Sequence, residues 1–340
     1  MAATPGTGQA FEEAIRVTPV SSHRYSANLR DEWCIGTVPH GGYSTAVLYR
    51  LALTHFAHTH PTLYNAPATP ISIQLAFLRR TAARPAVLTV QDTKLGARTS
   101  IIHVTLSQVR EKKGPSTNDV EDELEAKITG YITVSPATAE TGISAETAWA
   151  LHPPAPGGTG PNGRVNLSNL GRTGRDGNWV RVKAPFPQFR RAAQQVELFG
   201  PDSGSKGPRV VDQWARFRPG GDKNARWTNE AVAYLTDMFP MALDGLDTMT
   251  SESGVGQENK PAKYWYPTVT LNIDIKKRLP AQGPEWLYSR VQTKVVRDGR
   301  TDMDVVVLDE EGDVVALSTQ VGLVVSASRN VGKRELKQKL

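Results

Sequence analysis

The sequence predicts an α+β protein made of two tandem copies of one unit, a helix followed by four or five antiparallel strands. Three observations predict it. Apolar residues alternate over 70–80 and again over 267–278, each run ending in basic residues, the pattern of a half-buried strand. An amphipathic stretch precedes each run, at 42–58 and from 229 to about 243. The signals that follow keep the same order in both halves, as in a duplicated chain.

In the first half, Val47, Leu48, Leu51 and Ala52 form one apolar helix face. After the strand at 70–80, the segment 87–90 leads through Thr93-Lys94 to the Gly96-Ala97-Arg98 turn, a strand at 101–106, a hairpin and a closing strand at 128–134. An acidic insertion at 111–125 is expected to be a solvated loop. In the second half, the helix carries Val232, Leu235 and Phe239. Its strand at 267–278 is followed by 287–291, Thr293-Lys294, the Asp298-Gly299-Arg300 turn and a strand at 304–308. A tight Gly312-containing hairpin then leads to the last strand at 314–324. Each unit reads as a helix packed on one face of an antiparallel sheet.

These signals divide the chain into a first unit at 1–152, a Pro/Gly-rich connector at 153–208 and a second unit at 209–340 with a short charged tail. The connector is expected to carry an ordered insert at 178–182 and an amphipathic piece near 189–199.

With 39% hydrophobic and 22% charged residues, the 340-residue chain is globular in composition. No apolar run approaches the roughly 18 residues of a membrane span, and Met1–Gly6 lacks a secretory layout. A soluble cytoplasmic protein is expected, with no membrane partner. The peroxisome is the alternative, because Gln338-Lys339-Leu340 shares its last two residues with the Ser-Lys-Leu signal. Cys34 is the single cysteine, so neither an intrachain disulfide nor a cysteine-based metal cluster can form. The net charge of +6 comes without a basic run in the body of the chain. It argues against a nucleic-acid partner and suits a phosphate-bearing ligand such as coenzyme A. Gly-x-Ser-x-Gly, His-Glu-x-x-His and phosphate-loop motifs are absent. No metal is expected, and no cofactor other than coenzyme A carried by the substrate.

Five segments resemble a known family. The run Trp33-Cys34-Ile35-Gly36-Thr37-Val38-Pro39-His40-Gly41-Gly42-Tyr43 is similar to the opening of double hotdog acyl-CoA thioesterases, which place a Gly-Gly pair ahead of the first central helix. Phe77-Leu78-Arg79-Arg80 resembles the strand ending that follows it. Thr236-Asp237-Met238-Phe239-Pro240 resembles the family's aspartate-bearing helix, Pro267-Thr268 its threonine strand and Ser318-Thr319-Gln320 its glutamine strand. The long middle segment and Pro39-His40 resemble the divergent thioesterase-like proteins of fungi and actinobacteria more than the bacterial medium-chain enzymes.

The resemblance implies a double hotdog, expected to associate as a homodimer, that hydrolyses an acyl thioester such as acyl-CoA. Asp237, Thr268 and Gln320 are the implied catalytic set, and His40, Gly41, Gly42 and Tyr43 the implied substrate-binding residues. The residues fit that chemistry. An aspartate in the apolar stretch Ala231–Leu235 and beyond is costly unless used or paired, and burial would tune it as a base. Thr268 and Gln320 offer a hydroxyl and an amide to hold the attacking water. The N–H groups near Gly41 and Gly42 can polarise the carbonyl. The ordinary alternatives are a polar-face Asp237, a solvent-facing Thr268, a ladder-edge Gln320, a plain helix start at the glycines and a structural His40. Two other functions compete: a hotdog hydratase, dehydratase or cyclisation enzyme on a polyketide-like acyl chain, and a non-catalytic acyl-ligand protein. A hydratase would need an aspartate beside its histidine, and His40 has none nearby in sequence.

Overall fold

The computed structural model describes residues 8–110, 123–137, 140–202, 210–239 and 262–331. In the first half, β1 (Val17–Pro19) and β2 (Arg24–Asn28) precede the small hairpin of β3 (Cys34–Ile35) and β4 (Val38–Pro39). The long helix here called α1 (Gly41–Thr59) follows, then β5 (Ala68–Phe77), β6 (Pro85–Lys94), β7 (Ser100–Val109) and β8 (Leu124–Pro136). The second half contains β9 (Arg175–Asp176), β10 (Trp179–Val182), β11 (Val196–Pro201), β12 (Val210–Phe217) and the short helix α2 (Asn229–Leu235). After the two-residue strand β13 (Tyr264–Trp265) come β14 (Thr268–Ile275), β15 (Trp286–Gln292), β16 (Val296–Arg297), β17 (Arg300–Leu308) and β18 (Val314–Leu323).

The main strands form one antiparallel sheet in the order β1-β2-β6-β7-β8-β5-β14-β18-β17-β15-β12-β11-β10-β9. The two halves join where β5 pairs with β14, Gln74 opposite Asn272 and Ile73 opposite Ile273. Burial alternates along β7, one face turned to the core. Both helices lie on that core face, and α1 packs against α2. This is the duplicated, helix-wrapped sheet expected from the sequence. Each half also carries a strand ahead of its helix, β2 and β12, which pair with β6 and β15.

The duplication can be followed residue by residue. β5 and β8 shift register between Pro70 and Ser72, and β14 and β18 shift between Thr268 and Thr270. Aligning these irregularities sets Thr268 on Pro70. Leu271 pairs with Gln320 as Ile73 pairs with Ile132, which sets Gln320 on Ile132. Counted from the helix N-caps, His40 and Thr228, Asp237 falls on Tyr49.

The segment 153–208, expected as a connector, contributes to the sheet through its described residues 175–201. It supplies β9, β10 and β11, and β11 pairs with β12. Leu170, Trp179 and Phe199 from this segment form a second apolar cluster with Trp286, Tyr288 and Leu308. Most of the acidic insertion at 111–125, the end of the helix expected to reach about 243, and the tripeptide Gln338-Lys339-Leu340 lie outside the described residues. Among the described residues, no helix is long and apolar enough to cross a membrane.

Candidate active site

The start of α1 meets the end of α2, and the contact requires glycine. A Cβ on Gly42 would lie 2.7 Å from the Tyr234 carbonyl oxygen and 2.9 Å from Asp237 Cβ. One on Gly41 would lie 2.7 Å from Asp237 Oδ2. With neither side chain present, the Gly42 N–H donates to Asp237 Oδ2 at 2.7 Å.

Asp237 sits just past the last turn of α2. Thr228 caps the helix N-terminus, its side chain accepting from the Ala231 N–H. At the other end, the Asp237 N–H tightens onto the Tyr234 carbonyl at 3.3 Å, a three-residue spacing that leaves nearby carbonyls without helical donors. Two glutamine amides meet that need. Gln320 Nε2 on β18 donates to the Thr236 carbonyl at 2.7 Å. Gln213 Nε2 on β12 donates to the Met238 carbonyl at 2.8 Å. The residues on either side of Asp237 are thus tied to strands of the sheet.

Thr268 Oγ1 on β14 donates to Asp237 Oδ1 at 3.1 Å. Gln320 must present Nε2 to a carbonyl acceptor, so its Oε1 faces elsewhere. That oxygen is buried and makes no hydrogen bond within the protein. His40 reaches the same carboxylate from the first half. Its Nδ1 lies 3.6 Å from Asp237 Oδ2 without forming a hydrogen bond, and its ring is edge-on to Tyr234. Burial pushes the Asp237 carboxyl above the ordinary aspartate range, against the opposing pull of His40, the Gly42 N–H and Thr268. Burial also holds His40 below the usual histidine range, although Asp237 favours its charged form. Both shifts disfavour the charged form of the group concerned.

The structure brings together His40, Gly41, Gly42, Asp237, Thr268 and Gln320. Tyr43 is a correction to the expected substrate-binding set. It is fully buried, stacks on Trp33 and donates its hydroxyl to the Ala14 carbonyl at 2.7 Å, which commits it to the core. The missing aspartate beside His40 is a second correction, since Asp237 of the other half takes that place. Sequence reasoning also missed Gln213, because the acceptor that gives it a role is a backbone carbonyl. No motif marks such a partner.

The acyl-CoA thioesterase C-terminal domain profile matches residues 154–324, and the N-terminal domain profile matches 29–133. The chain belongs to the acyl-CoA thioesterase family. It is a thioester hydrolase by family and a double hotdog by architecture. A thioesterase-like protein of Talaromyces wortmannii is 29% identical over 352 residues, covering 97% of this chain and 96% of its own. A hot dog fold protein of Alicyclobacillus acidocaldarius superimposes with TM-score 0.63 at 17% identity, covering 93% of this chain and 98% of its own. A structure described as a thioesterase II of Thermobifida fusca gives TM-score 0.62 at 22% identity, with 92% and 98% covered. At these identities the two structures establish shared fold. The C-terminal thioesterase profile begins at 154, at the start of the segment that supplies β9 to β11.

Proposed function

We propose that the chain hydrolyses an acyl-CoA thioester at the His40–Asp237–Thr268–Gln320 centre. The observation that carries this reading is the buried, unpaired Gln320 Oε1 on the side chain whose amide nitrogen holds the residue before Asp237. A buried acceptor calls for a donor, and a water bridging Gln320 Oε1 and Asp237 supplies one. Thr268 donates to Oδ1 and Gly42 to Oδ2, fixing the carboxylate's orientation.

In the proposed reaction, Asp237 takes a proton from this water as its oxygen attacks the thioester carbonyl. Gly42 is occupied with Asp237, so the developing oxyanion falls to the Gly41 N–H. As the first residue of α1, Gly41 has no intrahelical acceptor, and the positive end of the helix supports the charge. Collapse expels the coenzyme A thiolate, a better leaving group than the alkoxide of an ordinary ester. His40, whose Nδ1 lies 3.6 Å from Oδ2, can accept the proton from Asp237 and reset it. No further cofactor enters this chemistry.

The His40–Asp237 pair also favours a second reading. One acid and one base facing each other across the halves could remove water from a 3-hydroxyacyl thioester. Gln320 favours hydrolysis, because the water proposed at its Oε1 is one that dehydration does not require. Incubating the full chain with acyl-CoA and 3-hydroxyacyl-CoA esters of graded length and a thiol reagent separates the readings. Hydrolysis releases free thiol and carboxylic acid. Loss of water from the 3-hydroxy ester with no thiol release would replace it by dehydration, and binding without turnover would overturn both.

A further inference from the structure

Besides His40 the chain has six histidines, and four of these, His23, His55, His58 and His60, lie around the other end of α1. α1 is 19 residues long, which places its two ends about 28 Å apart. At its far end, three Nε2 atoms meet the Asp92 carboxylate. His55 lies 2.9 Å from Oδ1, while His60 and His23 lie 2.8 and 3.0 Å from Oδ2. The fold assembles them from separate elements. His55 belongs to α1, His60 is its C-cap and Asp92 is on β6. His23 is held beside β6 by the Val90 N–H, which donates to its carbonyl at 3.0 Å.

The hydroxyls behind His55 restrict its tautomer. The Ser22 carbonyl accepts from Tyr25 at 2.7 Å and from Thr59 at 2.6 Å. One arrangement gives the single proton of each hydroxyl to this carbonyl, while either hydroxyl can also donate to the other across 3.0 Å. The Tyr25 oxygen, 2.9 Å from His55 Nδ1, is then the acceptor of an Nδ1–H. In that arrangement a neutral His55 turns the lone pair of Nε2 toward a carboxylate oxygen 2.9 Å away. Two lone pairs at that distance repel unless a cation lies between them. The ring is fully buried.

We propose that His23, His55 and Asp92 bind a divalent transition-metal ion of the zinc class, with His60 orienting the carboxylate through its second oxygen. The three donor atoms lie within 4.8 Å of one another, a span that small side-chain movements can close around an ion bonded at about 2.0–2.2 Å. Two imidazoles and a carboxylate suit zinc. The outer nitrogen of each proposed imidazole ligand already has a partner, Tyr25 for His55 and Ser22 Oγ for His23, as metal-bound histidines require. The C-terminal end of α1 adds partial negative charge, and the half-exposed His23 offers an entry path. The ion would fasten the approach to β2, the end of α1 and β6 to one another.

The test is titration of chelator-stripped full-length protein with Zn2+ against a chromophoric competitor, with thermal unfolding as a second readout. One ion per chain is expected, with zinc raising the melting temperature. Binding should weaken at least about tenfold in His23→Ala, a variant of an exposed residue, and equally in Asp92→Asn where that variant folds. Absence of a stoichiometric site overturns the proposal. So does a site whose affinity and stabilising effect are unchanged in His23→Ala.

Discussion

Asp237 combines a functional need with a structural cost. Its carboxylate is almost wholly buried and its proton affinity is raised by that burial. The folded state therefore binds this proton more tightly than the unfolded state does. The sign of the linkage follows: stability associated with the group is greatest below the unfolded aspartate value of about 3.9 and falls as pH rises through the higher folded value. Asp237→Asn keeps an acceptor for Gly42 and removes the charge. Its melting temperature should match that of the parent at low pH and exceed it progressively toward pH 8. A parent more stable than the variant at pH 8 would contradict this account of burial. Asp237, Thr268 and Gln320 were marked in the sequence by the family resemblance, and the structure ties Thr268 to Asp237 and Gln320 to the neighbouring Thr236. The approach of His40 to Asp237 was not marked, since it depends on how two distant helices cross. Tyr43 was misplaced because successive helical residues turn by about 100°, so a position two after Gly41 faces a different neighbour.

The crossing of α1 and α2 is the element on which the site depends. Gly42→Ala inserts a methyl group against the Tyr234 carbonyl and Asp237 Cβ. Such overpacking costs about 1–3 kcal/mol, and it would push apart the pair formed by the Gly42 N–H and Asp237. Gly42→Ala should lower both the melting temperature and turnover, the latter by at least about tenfold. Scanning calorimetry and steady-state kinetics would check this, and a variant with parental values in both would refute it. The hairpin that delivers His40 is fixed independently. Gly36 turns it with φ of +58°, and Asn330 grips it by accepting from the Thr37 N–H at 2.9 Å and donating to the Ile35 carbonyl at 2.7 Å. The strand patterns and both helix starts could be read from the sequence because period and capping are local. Of the strands at 175–201 only the ordered insert at 178–182, which contains β10, was marked; the others lie in Gly/Pro-rich surroundings that read as loop, and their order comes from pairing that runs to β12.

Across the whole molecule, duplication has produced two similar halves that share one proposed catalytic centre. The positions equivalent to Asp237, Thr268 and Gln320 are Tyr49, Pro70 and Ile132. None of these offers a carboxylate base or an amide to hold a water. The first half instead lends His40 and the glycine-bearing start of α1, so the centre belongs to both halves at once. The repeat order of helix and strands announced this architecture in the sequence, whereas the asymmetry of the two sites needed the register of the strands. Because the second position cannot substitute, one atom-level change should silence the chain. The decisive measurement is coenzyme A release by Asp237→Asn, its fold checked by circular dichroism, on the best substrate of the parent. A fall of at least about a hundredfold in kcat is predicted for loss of the general base. A folded variant that keeps a tenth or more of parental turnover would contradict the assignment of Asp237.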